Sequence, residues 1–572
     1  MKDKILPFVL KNMLEHDGSA NPKAVLGLVL RSNPDLKKQV PQVLETINTI
    51  IKDYQDKSKA DLKKELIKIA PELAKEKPKE VIKGPLKELP NAKKGKVVVR
   101  IAPSPSGPMH VGHAYGALLN STYAKMYDGK FILRIEDTNP ANIYEPAYQM
   151  IEDDANWLTH GKVDRVVIQS DRIEIYNKYI KQLTGQGDAY VCDCDPDIWR
   201  EMKSKKAACP CRDLSKADQL IRLNKMYQPT NEGGYAEGEV VLRMKTNINH
   251  KNPAMRDFSL ARIAEHSHPK TKSDNRVWPL MVLSVAIDDH ELGITHVLNG
   301  KDHYDNGVKE SLIMKQLGWE APVYRHWGRI NFEGMKLSTS KTRIAIEQGE
   351  YTGWDDIKLA TLKALRRRGY QVDAFAKFAV EIGLSMNDKT VSQEEFWKNI
   401  NSFNKEIVEP IANRYFFVED PVEIIIEGLT NTKVKLNLHP DDTKRGQREL
   451  KVNDKVLITK KDQAELEEGK VHRLIDACNF IKEASGFSFH SFDYLEFKDS
   501  KHKGKILHFL PNDAKQLIGA EVMLLDGNKV NGKVEKSITK QKVGDIVQLE
   551  RQYFARIDSI EKGKVVLWYL HK

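Results

Sequence analysis

The spacing of apolar positions changes along the chain and divides it. Up to residue 72, Ile5, Val9, Leu10 and Met13, then Leu26, Leu28 and Leu30, recur near helical spacing, with turns at Asp17-Gly18 and Asn33-Pro34. This predicts a small helical domain over 1–72. From 73 to 96 proline and lysine dominate (EKPKE, GPL, KKGK), a composition that reads as a solvated linker. Residues 97–101 (VVVRI) are a short apolar run of the kind that fills a buried parallel strand. A turn-rich segment, helical sequence over 111–127 and a second strand over 130–135 follow it. Strand, loop, helix, strand is the opening of a nucleotide-binding α/β domain.

This pattern holds over 97–190 and breaks over 191–276, which reads as an irregular, polar insertion. It resumes over 277–350, with strands expected at 282–287 and 295–298. Residues 351–414 read as a helical connector carrying an Arg366-Arg367-Arg368 turn. From 415 to 572 short alternating runs such as PVEIIIEG, KVKLNLHP, FSFHSFDYLEF and KVVLWYL are separated by Gly, Asp, Asn and Pro, which predicts two β-barrels. Within them VHRLIDACNFI reads as a helical run with Cys478 in its core. The expected fold class is multidomain, α/β plus all-β.

Composition narrows the class of protein. With 40% hydrophobic and 30% charged residues the chain can build several cores under a soluble surface. The longest apolar run, 277–287, is broken by Pro279 and Ser284, too short for a membrane span, and residues 1–20 carry too many charges for a signal peptide. A cytoplasmic protein without membrane contact is expected. The formal charge of +11 favours a polyanionic partner. Of five cysteines, Cys192, Cys194, Cys209 and Cys211 fall together as two CxC pairs. That pattern suits a structural tetrathiolate Zn2+ site in a segment with little core of its own, with reduced structural thiols as the alternative.

Two segments carry chemistry. Residues 100–113 read RIAPSPSGPMHVGH: a tight turn at a strand's carboxyl end, with His110 and His113 opening the next helix. Helix amides plus imidazoles hold phosphates, and Gly112 lets a nucleotide approach the backbone. Residues 334–341 read GMKLSTSK, a lysine and hydroxyl loop suited to charge developing on an α-phosphate.

HVGH and KLSTSK resemble the HIGH and KMSKS signatures of class I aminoacyl-tRNA synthetases. RIAPSPSGPMHVGHA, LRIEDTNP, GITHVLNGKDH and HWGRI are similar to the glutamyl/glutaminyl subfamily, in particular its archaeal glutamyl type. The resemblance implies a Rossmann-type catalytic domain with an inserted acceptor-binding region and two anticodon-binding barrels. It implies ATP with Mg2+, glutamate and tRNA-Glu, with tRNA-Gln also open, and activation of the amino acid only when tRNA is bound. His110 and His113 would stabilise the ATP phosphates with Gly112, Ser104 and Ser338 beside them, and Lys336 would support the adenylation transition state. Arg100, Ser104 and Glu136 would hold the amino acid. Thr339 stands where the second lysine of KMSKS falls, so that role is lost or passes to Lys341. Asn299 stands where bacterial relatives carry an arginine for the side-chain carboxylate, so Arg100 or Lys301 must serve, or the substrate is glutamine. Asp288-Asp289-His290 and Lys301-Asp302-His303 read equally as metal ligands or as hydrogen-bonding caps. A monomer is expected. A glutaminyl enzyme is the near alternative; a tRNA-modifying paralogue and a non-catalytic RNA-binding scaffold are the distant ones.

Overall fold

The computed structural model describes residues 1–15, 19–74, 86–271 and 275–572, in two units, Met1–Gly84 and Pro85–Lys572. No helix among the described residues is long and apolar enough to cross a membrane.

The first unit is helical: Lys2–Glu15, Pro22–Ser32, Val40–Tyr54, Lys59–Ile69 and Pro71–Ala74. Asn21 caps the second helix by accepting from Lys23 N and Ala24 N, and Ser58 caps the fourth by accepting from Asp61 N. Ile5, Val9, Met13, Val29, Val43, Ile47 and Leu62 close one core.

In the second unit Val98–Ile101, Lys130–Ile135 and Arg165–Ile168 form a parallel sheet with the 130s strand central. A second parallel pair, His296–Gly300 with Val323–Trp327, joins its other edge where Thr295 N donates to Val98 O at 3.0 Å. The sheet thus grows in both directions from Val98–Ile101, and a cleft opens beyond the strand ends at that switch point. The helix Val111–Met126 packs Leu118, Leu119 and Tyr123 under the sheet. Leu86 and Leu89 are buried in the same core, and Leu89 N donates to Tyr127 Oη, so the described part of the lysine-rich stretch packs on the domain instead of forming a solvated linker. Residues 75–85 lie outside the described residues.

Two expectations are overturned here. The run 282–287 is helix, within Met281–Glu291, not strand; a short, wholly apolar run has no period to tell the two apart. The insertion is not irregular: Ala189–Cys192, Val241–Met244, Ser259–Ile263 and Val277–Pro279 form an antiparallel sheet, crossed by the helices Pro196–Ser204 and Lys216–Tyr227.

Helices Leu362–Arg368, Val372–Ile382 and Gln393–Val408 lead to two seven-stranded sheets. Alternation is visible in Gln447–Val452, which pairs with Thr432–Asn437 in a separate two-stranded ribbon and buries every second side chain. The run expected as a helix around Cys478 is a hairpin, Val471–Leu474 with Asn479–Glu483, with Cys478 buried in the barrel core. FSFHSFDYLEF is strand only over Gly486–Ser491 and then turns into the helix Tyr494–Asp499. The arginine triplet is not a free basic turn. Arg367 grips Asp558 with two bonds (3.0 and 2.7 Å) and stacks on Trp568 at 3.9 Å, and Arg368 donates to Leu570 O at 3.0 Å.

Candidate active site

The turn before Val111–Met126 is held from both sides. Met109 N donates to Asp154 Oδ2 at 2.9 Å, Leu362 N donates to Met109 O at 2.9 Å and Val111 N donates to Ala360 O at 3.3 Å. His110 is the helix N-cap: its Nδ1 accepts from Gly112 N (3.1 Å), and His113 Nδ1 accepts from His110 N (3.3 Å). An Nδ1 that accepts carries no proton, so both rings present Nε2–H outward. Burial pushes His110 down to about 2, with the His113 ring 3.9 Å away adding to the shift. His113 is open toward the cleft, yet the protein crowding the rest of its ring holds it at about 4. Both are neutral donors at pH 7 at the positive end of a helix; the first-turn amides expected to help hold an anion are already spent, Val111 N on Ala360 O and Gly112 N on His110 Nδ1, so the imidazole N–H groups and the helix dipole are what this end offers an anion. Gly112 is required because a Cβ there would meet His110 Cε1 at 2.9 Å.

Beside this turn lies a cavity of about 520 Å³ lined by Arg100, Ser104, Gly112, His113, Glu136 and Asn299, among others. These residues come from four segments far apart in sequence, 100–104, 112–113, 136 and 299, which the fold brings to one cavity. Their partners were not foreseen. Arg100 is buried and spends Nε and Nη2 on Asp289 (2.8 Å each), leaving Nη1 without a partner among the described residues. Arg134 is fully buried against Asp288 (2.6 Å) and reaches Glu136 Oε1 at 3.4 Å. Arg172 and Tyr176 complete the shell of Asp288. Asp288 and Asp289 therefore pair with arginines rather than acting as open metal ligands or caps, and Lys301 pairs with Asp388 at 2.6 Å outside the cavity. Asn299 Oδ1 accepts from His326 Nδ1 at 2.6 Å.

The KLSTSK loop faces a second cleft of about 930 Å³, lined by Lys336, Ser338, Lys341, Arg368 and Tyr370, among others. Lys336, Ser338 and Lys341 are exposed, and neither lysine makes an ion pair among the described residues. Ser338 caps the helix Thr339–Glu347. Thr339, in the place of the second motif lysine, shares a 2.9 Å hydrogen bond with Ser106 and so ties this loop to the histidine turn.

The cysteines assemble: Sγ–Sγ distances are 3.5 Å (Cys192–Cys209), 3.3 Å (Cys194–Cys209) and 3.7 Å (Cys194–Cys211), all four within 4.8 Å of one another. At Zn–S bonds of about 2.3 Å a tetrahedron places its sulfurs roughly 3.8 Å apart, so the donor set fits zinc.

Fold and site together define a Rossmann-type α/β domain with two neutral imidazoles at a helix N-terminus beside the cleft at the sheet's switch point. Residues 96–410 match the family described as tRNA synthetases class I (E and Q), catalytic domain, and residues 412–487 and 481–558 match its anti-codon binding domains. The chain belongs to the class I tRNA synthetases of the E and Q type. It is 43% identical over 582 residues to a glutamate–tRNA ligase of Pyrococcus furiosus, covering 99% of each chain, and 42% identical to one of Methanocaldococcus jannaschii, covering 100% of each. A glutamate–tRNA ligase of Pyrococcus abyssi is 44% identical, with 99% of each covered. Among solved structures, the glutamate-tRNA synthetase of Elizabethkingia anophelis aligns with 56% of this chain and 72% of its own at 22% identity and a TM-score of 0.39.

Proposed function

We propose that the chain is an ATP-dependent glutamate–tRNA ligase. The substrate's α-carboxylate attacks the α-phosphorus of ATP and displaces pyrophosphate, giving glutamyl-adenylate. The terminal ribose hydroxyl of tRNA then attacks the carbonyl carbon and releases AMP. The observation that carries this reading is the pair of neutral imidazoles, both with Nε2–H outward, at the lip of a cavity holding Arg100, Ser104 and Glu136.

In this reading His110 and His113 donate to phosphate oxygens, Gly112 leaves room for the nucleotide, and Ser104 lies between nucleotide and amino acid. Glu136 accepts from the α-ammonium, and Arg100 offers its unspent edge to a carboxylate. Lys336 and Lys341 come to the phosphates by movement of their loop, with Ser338 at its base. Mg2+ arrives with ATP, held by phosphate oxygens and water. Cys192, Cys194, Cys209 and Cys211 would hold a structural zinc that pins the end of the strand Ala189–Cys192 to the segment at 209–211; one zinc per chain, and a lower melting temperature on chelation, are the expected readouts. The barrels would take the anticodon arm. Work in the cytoplasm and action as a monomer belong to the same proposal.

One observation favours glutamine instead: Asn299 is neutral and Arg100 is already half spent. ATP–pyrophosphate exchange with glutamate and with glutamine, each with and without tRNA, decides. Exchange with glutamate only when tRNA is present supports the ligase proposed; exchange with glutamine alone overturns it.

A further inference from the structure

The cavity raises a charge problem. Around it stand three cations, Arg100, Arg134 and Arg172, and three anions, Asp288, Asp289 and Glu136, already paired with one another. A substrate with a side-chain carboxylate adds negative charge for which no unpaired cation is present among the described lining residues. Two further acids line the same space, the exposed Asp302 and the buried Glu310. Glu310, on the helix Tyr304–Gln316, lines the cavity and is 4% exposed. Tyr324 Oη donates to its Oε2 at 3.1 Å, while Oε1 has no hydrogen-bond partner among the described residues. Gly307, one turn before Glu310, leaves the space that the Tyr324 ring fills: a Cβ there would meet that ring at 2.9 Å.

We propose that Glu310 is a substrate-binding residue that reads the side-chain terminus of glutamate as a neutral carboxylic acid, donating Oε1–H to the substrate carboxylate. Tyr324 fixes which oxygen bears the proton, because an Oε2 that accepts from a phenol is the carbonyl oxygen of the acid. Two carboxyl groups sharing one dry cavity do not both ionise, and the proton they share makes a short, charge-assisted hydrogen bond. The groups facing Glu310 are Arg100 from Val98–Ile101, Arg134 from Lys130–Ile135, Asp289 from Met281–Glu291 and Tyr324 from Val323–Trp327, with His113, Glu136, Asp302 and His303 elsewhere on the lining. Burial outweighs the arginines and pushes Glu310 up to about 7 in the empty site. A substrate carboxylate beside it raises it further.

This rests on the cavity taking glutamate, and the test separates the two ideas. The kcat/KM for glutamate in tRNA charging is measured from pH 6.5 to 8.5 in the wild type, in Glu310→Gln, whose amide donates without titrating, and in Glu310→Asp, which titrates but stands one methylene back. ATP and tRNA are saturating, and melting temperature and tRNA binding are checked for each variant. A single proton lost at about 7 makes the wild type fall about 25-fold over that range. Glu310→Gln is expected to lose that fall, and Glu310→Asp to keep it with a raised KM for glutamate. No charging with glutamate by the wild type at any pH sinks the ligase proposed; charging with a flat wild-type profile, or with parallel profiles in the wild type and Glu310→Gln, overturns the role of Glu310. Should Glu310→Gln fail to fold, a Glu310→Asp profile without the alkaline fall overturns it equally.

Discussion

The histidine turn and the lysine loop, the two motifs proposed to meet the phosphates, are built in opposite ways. The histidine turn is fastened by backbone bonds to Asp154, Ala360 and Leu362, and its rings are oriented by the helix they cap. The lysine loop holds Lys336 and Lys341 exposed, linked to the turn by the Ser106–Thr339 bond. A neutral donor loses little by being fixed in place, and fixing it removes reorganisation from the reaction. Exposed ammonium groups keep their hydration until substrate arrives, so a loop that brings them in later avoids burying unpaired charge. The comparison teaches that here the uncharged half of the site is fixed by its hydrogen bonds, while the charged half stands exposed and without ion pairs among the described residues.

The sharpest way to break that contrast is His113→Ala. Loss of one fixed donor should cost about 3 kcal/mol of transition-state stabilisation, more than 100-fold in pyrophosphate exchange, with tRNA binding retained. An effect below tenfold would mean the turn is scaffold rather than chemistry. Lys336→Ala comes next, at roughly 30-fold, because a mobile ammonium first has to be ordered; its loss should fall on kcat, and Lys341→Ala should lose less. Equal losses would assign the second motif lysine's role to Lys341.

Asp154 tests the fastening itself. It is 2% exposed, accepts Met109 N–H, and burial pushes it up to about 7. A carboxyl whose folded value is raised binds its proton more tightly when folded, so its contribution to stability is full below the unfolded value near 4 and is lost as pH climbs toward 7. Asp154→Asn keeps an acceptor without the titration, so the variant should melt no lower than the wild type at pH 8 and gain less stability than the wild type on acidification to pH 5. Asp154→Ala leaves Met109 N–H unpaired, costs about 1 to 2 kcal/mol in stability, and should slow turnover roughly tenfold by loosening the turn. Melting curves at the two pH values check both.

What could be read from the sequence follows the range of the forces involved. Val98–Ile101, Val111–Met126 and Lys130–Ile135 were legible because buried strand, cap and amphipathic helix are local patterns, and the barrels because alternation is local too. The cysteine cluster was legible from spacing alone. The helix Met281–Glu291 was not, since Val282 to Ile287 is apolar on every face and only length separates buried helix from buried strand. Arg100 was legible as a site residue, but not Asp289, its partner 189 positions away. Asp154 and Glu310 were missed for the same reason: an acid on a helix reads as a surface group, and its burial is decided by elements far along the chain.

The smallest effect concerns the link between the two halves. Ser106 and Thr339 lie 233 positions apart and share one part-buried hydrogen bond between hydroxyls. Such a bond contributes about 1 kcal/mol net, so Ser106→Ala and Thr339→Ala should each change exchange by no more than about fivefold. The informative quantity is their coupling. If the bond holds the loop open and away from the phosphates, breaking it frees the loop and the single variants should match or exceed wild-type kcat, with the double variant no different from either. If it guides closure, each single variant slows kcat and the double variant adds nothing further. Additive losses in the double-mutant cycle would show that the two hydroxyls act separately and that the halves of the site are not joined through them.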